Sequence, residues 1–470
     1  MFFGKNLFAV LAIALAVTRV HGDDSEGTEF VTSFSGYWLF DGSLVISVII
    51  IPSEQDTICT IKYAQQSDHK IVEIEATATY GKINEYRLPN AEVYYMGLVS
   101  SAGLHADEFA DDARVFVSCK DKVKLLGKHF YATMAQSELF LIPSISSASG
   151  NNFIVALPPS VYASMGHVLV LPLPGTDEVT INFKMYQNGN LYNSESKTVK
   201  TSLGAEQTFY VSYFDDPSNI TFVIDSTEPV MTSLVVEMAS TTGDSSCGKI
   251  CCKNYMTTML LANTVKKCNQ PTLSQEQRII TNDFSSRLYI SPPVASDCAE
   301  DFTVRVFDNN KLAGGEEIII SKTGYTNYTF AERREISLVS SSGDMSVIRY
   351  GTVFHNGDLQ TNYGHFAHYV PSTREFVTGK SQFYALANDC ALEVYTSNTD
   401  NIKLDGADVE SIKTGLVGLG GKYTQILINI QGLGIHTFES AGHYVSYVVC
   451  RQVNGIYDST GYLTGFNKRK

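Results

Sequence analysis

The run Val115-Phe116-Val117-Ser118-Cys119, resumed four positions later as Val123-Lys124-Leu125, alternates in polarity on both sides of a short polar break. Alternation with period two puts successive side chains on opposite faces of a strand, so the run reads as a hairpin. The arrangement recurs at Phe222-Val223-Ile224-Asp225-Ser226 before Val230, and at Leu338-Val339-Ser340-Ser341 before Met345-Ser346-Val347. A fourth copy is His436-Thr437-Phe438-Glu439-Ser440 before Tyr444-Val445-Ser446-Tyr447. Anchored on Cys119, Ser226, Ser341 and Ser440, the copies lie 107, 115 and 99 residues apart. Near-constant spacing is the mark of recurring structural units, and the expectation is four of them, each closed by a hairpin.

A second phrase occurs twice. Ala295-Ser296-Asp297-Cys298-Ala299 leads into Phe302-Thr303-Val304-Arg305-Val306, and Ala387-Asn388-Asp389-Cys390-Ala391 leads into Leu392-Glu393-Val394-Tyr395, 92 residues further on. Strand signals dominate elsewhere, as at Ser43 to Ile51, Asp56 to Tyr63, and Val168 to Leu171 with Glu178 to Met185 across a turn at Pro174-Gly175. Short helices fit only near Ser274 to Ile280 and Ala407 to Thr414. A repeat of roughly 110 residues has the size of a β-sandwich, whereas a propeller blade takes roughly 40 to 50. The expectation is an all-β chain of about four tandem β-sandwich-like units of roughly 100–115 residues, with a propeller-like closed repeat as the alternative. The units are placed at 23–127, 128–242, 243–351 and 352–470.

Residues 1–22 read as a cleaved secretory signal. Lys5 precedes an apolar run from Leu7 to Val17, and Val20-His21-Gly22 offers small residues ahead of Asp23-Asp24. A membrane helix needs roughly 20 apolar residues, and no later stretch reaches that length. The full chain carries a formal net charge of −14, and loss of Lys5 and Arg19 makes it −16. Such a balance argues against a nucleic-acid partner.

Secretion places all nine cysteines in an oxidising compartment. Cys59 and Cys119 are 60 residues apart, as are Cys390 and Cys450, which suggests one bridge in each terminal unit. Cys247, Cys251, Cys252 and Cys268 crowd the middle of the chain, followed by Cys298. The odd total leaves one thiol free or bonded to another chain, so a disulfide-linked oligomer is within reach. A zinc site in the central cluster is the rival reading, but two clean C-x2-C knuckles are missing. The sequons Asn219-Ile220-Thr221 and Asn327-Tyr328-Thr329 mark two candidate glycosylation sites.

The residues offer no catalytic constellation, and the expectation is no enzyme, no cofactor and no metal. Gly379-Lys380-Ser381 lacks the first glycine of a phosphate loop, because position 374 is Arg374. Gly418, Gly420 and Gly421 match a dinucleotide loop only as far as Tyr423. His365 and His368 would share a face on a helix, but diverge on a strand, which Tyr369-Val370-Pro371 favours. A secreted glycoside hydrolase needs only two carboxylates at a set distance, so it stands as a further alternative.

Several segments together resemble the amino-terminal domain of the IgG Fc-binding protein family. They are Gly27 to Phe34, the four alternating runs, Ser246-Cys247 to Cys252 with Met259-Leu260-Leu261, His368-Tyr369-Val370-Pro371, Leu404-Asp405-Gly406, and Ile435-His436-Thr437 through Tyr462. The resemblance runs from about residue 27 to residue 466. It implies a secreted or mucus-associated binding glycoprotein without enzymatic activity, whose partners are extracellular proteins or glycans: mucin, matrix, or immunoglobulin Fc. A structural component of mucus or matrix, joined through the odd cysteine, is the alternative from another class.

Overall fold

The computed structural model describes residues 23–36, 43–96, 107–133, 136–158, 160, 166–212, 219–240, 254–263, 275–293, 299, 301–308, 314–323, 326–330, 335–340, 345–355, 358–409, 411–455 and 457–468. They are almost all strand, arranged in separate sheets, and among them neither a closed barrel nor a propeller forms. The expected short helices are absent. Glu276–Thr281 is a strand, and Ala407–Asp408 and Ile412–Gly415 are short strands.

Each unit is two-layered, and the first, second and fourth are built around one long strand. In the first, Arg114–Tyr131 is a single 18-residue strand. Its first half lies between Gly27–Gly36 and Thr57–Ala64, and its second half between Leu44–Pro52 and Gln136–Ile142. The polar break at Lys120-Asp121-Lys122 is therefore a corner where the strand passes from one layer to the other, not a hairpin turn. Ile220–Ala239 and Gly434–Arg451 turn the same corner in the second and fourth units. In the third unit, Glu335–Ser340 and Ser346–His355 hold the two layers. A bent strand and a hairpin share one polarity pattern, because both alternate on either side of a polar break. Only the partners of each arm separate the two.

Burial along these strands explains the layering. The first half of Arg114–Tyr131 alternates between buried and exposed, whereas Val123 to Leu126 are fully buried. Ile220–Ala239 repeats this, with every residue buried from Val230 onward. One-sided solvent contact gives alternation, and cover on both faces gives an unbroken apolar run. The inner layers are covered by the neighbouring units. The strand after each corner, namely Gln136–Ile142, Asn254–Leu260, Asp358–Tyr369 and Thr460–Leu463, packs against its equivalents in cyclic order, so the four meet around a common centre.

The sheets accordingly span 27–142, 150–260, 276–369 and 377–463. Breaks placed at Gly127 and Gly351 fall inside strands, because each unit runs on through the corner to one more strand; Thr242 lies outside the described residues. Two further features stitch the units together. Asp107–Ala110 pairs with Gln207–Ser212 of the second unit. At the other seam, Ser25 N donates to the Phe466 carbonyl at 3.0 Å, tying the first unit to the last.

Cys59 is bonded to Cys119, and Cys390 to Cys450, each pair directly opposite on neighbouring strands. Cys247, Cys251, Cys252, Cys268 and Cys298 lie outside the described residues.

Candidate functional site

An open groove of about 690 Å³ runs along the junction of the first and second units. One wall is the outer layer of the first unit, supplying Glu29, Lys62, Phe116 and Ser118. The other is made of two loops of the second unit, Pro174 to Glu178 and Lys200 to Leu203, with Ile145 from the connecting segment. The Pro174-Gly175 turn projects into solvent, and Gly175 adopts φ 138°, a conformation that side-chain-bearing residues rarely take.

Arg114 holds these loops in place. It is fully buried, and its guanidinium meets the Asp112 carboxylate in a fork, with Nε–Oδ1 2.9 Å and Nη2–Oδ2 2.6 Å. The remaining N–H groups donate to the carbonyls of Pro172 at 2.7 Å, Thr201 at 3.0 Å and Ser202 at 2.9 Å. Asp112 Oδ2 also accepts from Gly204 N at 2.9 Å. Planar geometry and five donors suit arginine to this bridging role, which lysine's point charge cannot fill. The loops are tied to each other as well, with Thr201 N donating to the Asp177 carbonyl at 3.0 Å and Thr201 Oγ1 donating to the Thr176 carbonyl.

The lining mixes apolar and charged groups. Phe116, Ile145, Pro174 and Leu203 offer apolar surface, with the Arg114 guanidinium 5.4 Å from the Phe116 ring centre. Glu29, Asp177 and Glu178 supply carboxylates against the ammonium groups of Lys62 and Lys200. Glu29 accepts from Ser118 Oγ at 2.6 Å, and Lys62 pairs with Glu73 at 2.6 Å while remaining 43% exposed. The arrangement suits an elongated ligand with hydroxyl, amide and apolar surface, held by adaptable polar contacts above a fixed backbone.

The residues singled out from sequence lie elsewhere. Asn219 and Asn327 are both exposed, in the second and third units. His365 and His368 sit on the strand Asp358–Tyr369 and serve packing: His365 Nδ1 lies 3.1 Å from Thr352 Oγ1, and His368 stacks on Tyr447 at 4.5 Å. Burial lowers His365 to a pKa of about 3 and pushes His368 well down too, so both rings are neutral. Lys380 is a surface residue on a strand, facing Glu439 at 3.7 Å. Among the described residues no three His, Cys, Asp or Glu side chains gather into a metal-ligand group, and no helix is long and apolar enough to cross a membrane.

Arg114 and Asp112 escaped the sequence reading. Their one signal is a charged pair beside a strand start, which normally means a solvated edge; its partners lie 58 to 88 residues away. No family model matches the chain, and comparison with curated proteins gives no match.

Proposed function

We propose that the chain is a secreted, disulfide-stabilised glycoprotein that binds proteins or glycans at an extracellular or mucosal surface through the groove between its first two units, without catalysis. The observation that carries this reading is the clamp of Arg114 and Asp112 on Pro172 and the 201–204 loop, with Thr201 in turn tying down the 174–178 loop. A buried ion pair spent on fixing two surface loops makes a preorganised wall, and preorganisation lowers the entropic cost of binding. The mixed lining favours a ligand with both polar and apolar faces, such as a glycan chain or an extended peptide. Exposure of Asn219 and Asn327 supports the glycoprotein character, and the resemblance to the IgG Fc-binding family supports the extracellular setting.

The test is retention of purified mucin, purified matrix protein and IgG Fc on the immobilised, oxidised chain. Retention of at least one is expected, with loss on charge reversal of Lys62 and Lys200 to Glu. Equal retention by that variant sinks the groove as the site, and failure of all three probes sinks the binding reading. A second reading rests on the five cysteines left over from the two bonded pairs. An odd remainder suits a mucus or matrix component linked between chains, and a non-reducing gel showing only monomer counts against it.

A further inference from the structure

Each layer of the four units has an edge strand that, among the described residues, pairs on one side only. In the outer layers these are Ile71–Ala78, Asn190–Lys200, Glu316–Ile320 and Ala407–Asp408. In the inner layers they are Glu85–Leu88, Asp107–Ala110, Thr326–Thr329 and Ile412–Gly415. The fold itself deals with the opposite edges. Inner layers end at the common centre, and outer layers end where chain returning from that centre runs alongside. Ser144 N donates to the Ser25 carbonyl at 2.9 Å, Asn263 N to Asn152 at 2.7 Å, Thr373 N to Gln277 at 2.7 Å and Asn467 N to Glu375 at 2.8 Å.

An open edge offers unpaired N–H and C=O groups to any other extended chain, and charge on the strand is a common defence. The outer edges carry it as Glu73, Lys197, Glu317 and Asp408, and three inner edges as Arg87, Glu108 and Lys413. Thr326-Asn327-Tyr328-Thr329 carries no charge, and it has neither a proline nor a bulge. Its threonines and tyrosine favour the extended conformation that pairing requires. This one uncharged open edge is the edge that holds a sequon.

The strand presents the sequon outward. Tyr328 turns into the core and is only 6% exposed, while Asn327 and Thr329, one position to either side, face solvent. Asn219 stands differently, immediately before Ile220–Ala239, whose first half is paired on both sides by Gly150–Ala156 and Glu178–Gln187. A branched, hydrated glycan on Asn327 sweeps the space beside its strand, where a further strand would have to lie about 4.8 Å away.

We propose that Asn327 carries an N-linked glycan that caps this edge and keeps the third unit from pairing, strand to strand, with a second copy of the chain. The inference rests on the secreted-glycoprotein reading and adds a role for one of its two sequons.

The test is glycopeptide mass spectrometry of the full secreted chain, joined to light scattering over a concentration series for wild type and variants under the same oxidising conditions. The expected result is an occupied Asn327 and a wild-type mass that does not change with concentration. Asn327→Gln and Thr329→Ala, which each remove the sequon, shift the average mass upward as concentration rises. Asn327→Lys also removes the sequon but supplies the missing charge, so its mass stays at the wild-type value, as does that of Asn219→Gln. An occupied Asn219 beside a bare Asn327 overturns the proposal and leaves the glycoprotein reading standing, whereas two bare sequons overturn both. The proposal also fails if loss of the Asn327 glycan leaves the mass unchanged, or if Asn327→Lys associates as Asn327→Gln does. Where Asn327→Gln is not secreted, Thr329→Ala decides.

Discussion

At the scale of single residues, Arg114 is the side chain on which the groove depends. Arg114→Ala leaves Asp112 buried without a counter-charge, and such losses cost about 3–5 kcal/mol. Urea unfolding should show that loss, and proteolysis should reach the 174–178 and 200–203 loops first. Arg114→Lys keeps the charge but not the fork, so the same loops should loosen with a smaller loss of global stability. Asp23 gives a pH signature at the seam between first and last units, where Lys124 Nζ stands 3.5 Å from both Asp23 and Glu26. Burial lifts its carboxyl from 3.8 to about 7, outweighing the pull of Lys124. A carboxyl raised on folding holds its proton more tightly in the folded chain, so its contribution is present at low pH and fades as pH climbs from about 4 to about 7. Urea midpoints across that window should fall with rising pH, and Asp23→Asn should flatten the slope. Cysteine pairing was legible in the sequence because matched spacing reports two strands held opposite each other. The clamp made by Arg114 was not, since the carbonyls of Pro172, Thr201 and Ser202 reach it only through contact between units.

At the scale of elements, the corner strand replaces the hairpin as the repeating device. Where Arg114–Tyr131 enters the inner layer, Gly127 sits beneath the Phe140 ring; in the third unit Gly351 sits beneath Phe366. A methyl group at either glycine would occupy the space of the ring, so Gly127→Ala and Gly351→Ala should each cost about 1–3 kcal/mol through overpacking. A neutral result in urea unfolding would mean that the inner layer is looser than this packing implies. Removing the Cys59–Cys119 bridge by paired alanine substitution should cost about 2–4 kcal/mol. The alternating runs were legible as strands because one face of each outer layer meets water. The corner was not, because polarity records which residues face solvent and carries no record of which strand each arm pairs with.

Across the whole molecule, the four units share their interior. Ile49, Leu126, Leu139 and Leu141 of the first unit pack in one apolar cluster with Leu288, Val304, Leu392 and Val448 of the third and fourth. A chain ending before Thr460 should therefore expose apolar surface and bind a hydrophobic dye, rather than lose one unit cleanly. The repeat and its count could be read from spacing, while the unit limits were displaced because each unit ends on a strand that belongs as much to the shared centre. The groove follows from the same architecture: two units fixed against each other leave a junction whose walls cannot drift. Hydrogen exchange of the intact chain, with and without the retained mucin, matrix protein or Fc, tests this most directly. Binding through the groove predicts slowed exchange at 174–178 and 200–203 and along the outer strand around Phe116. Protection confined to other surfaces, with these loops exchanging as in the free chain, would contradict it.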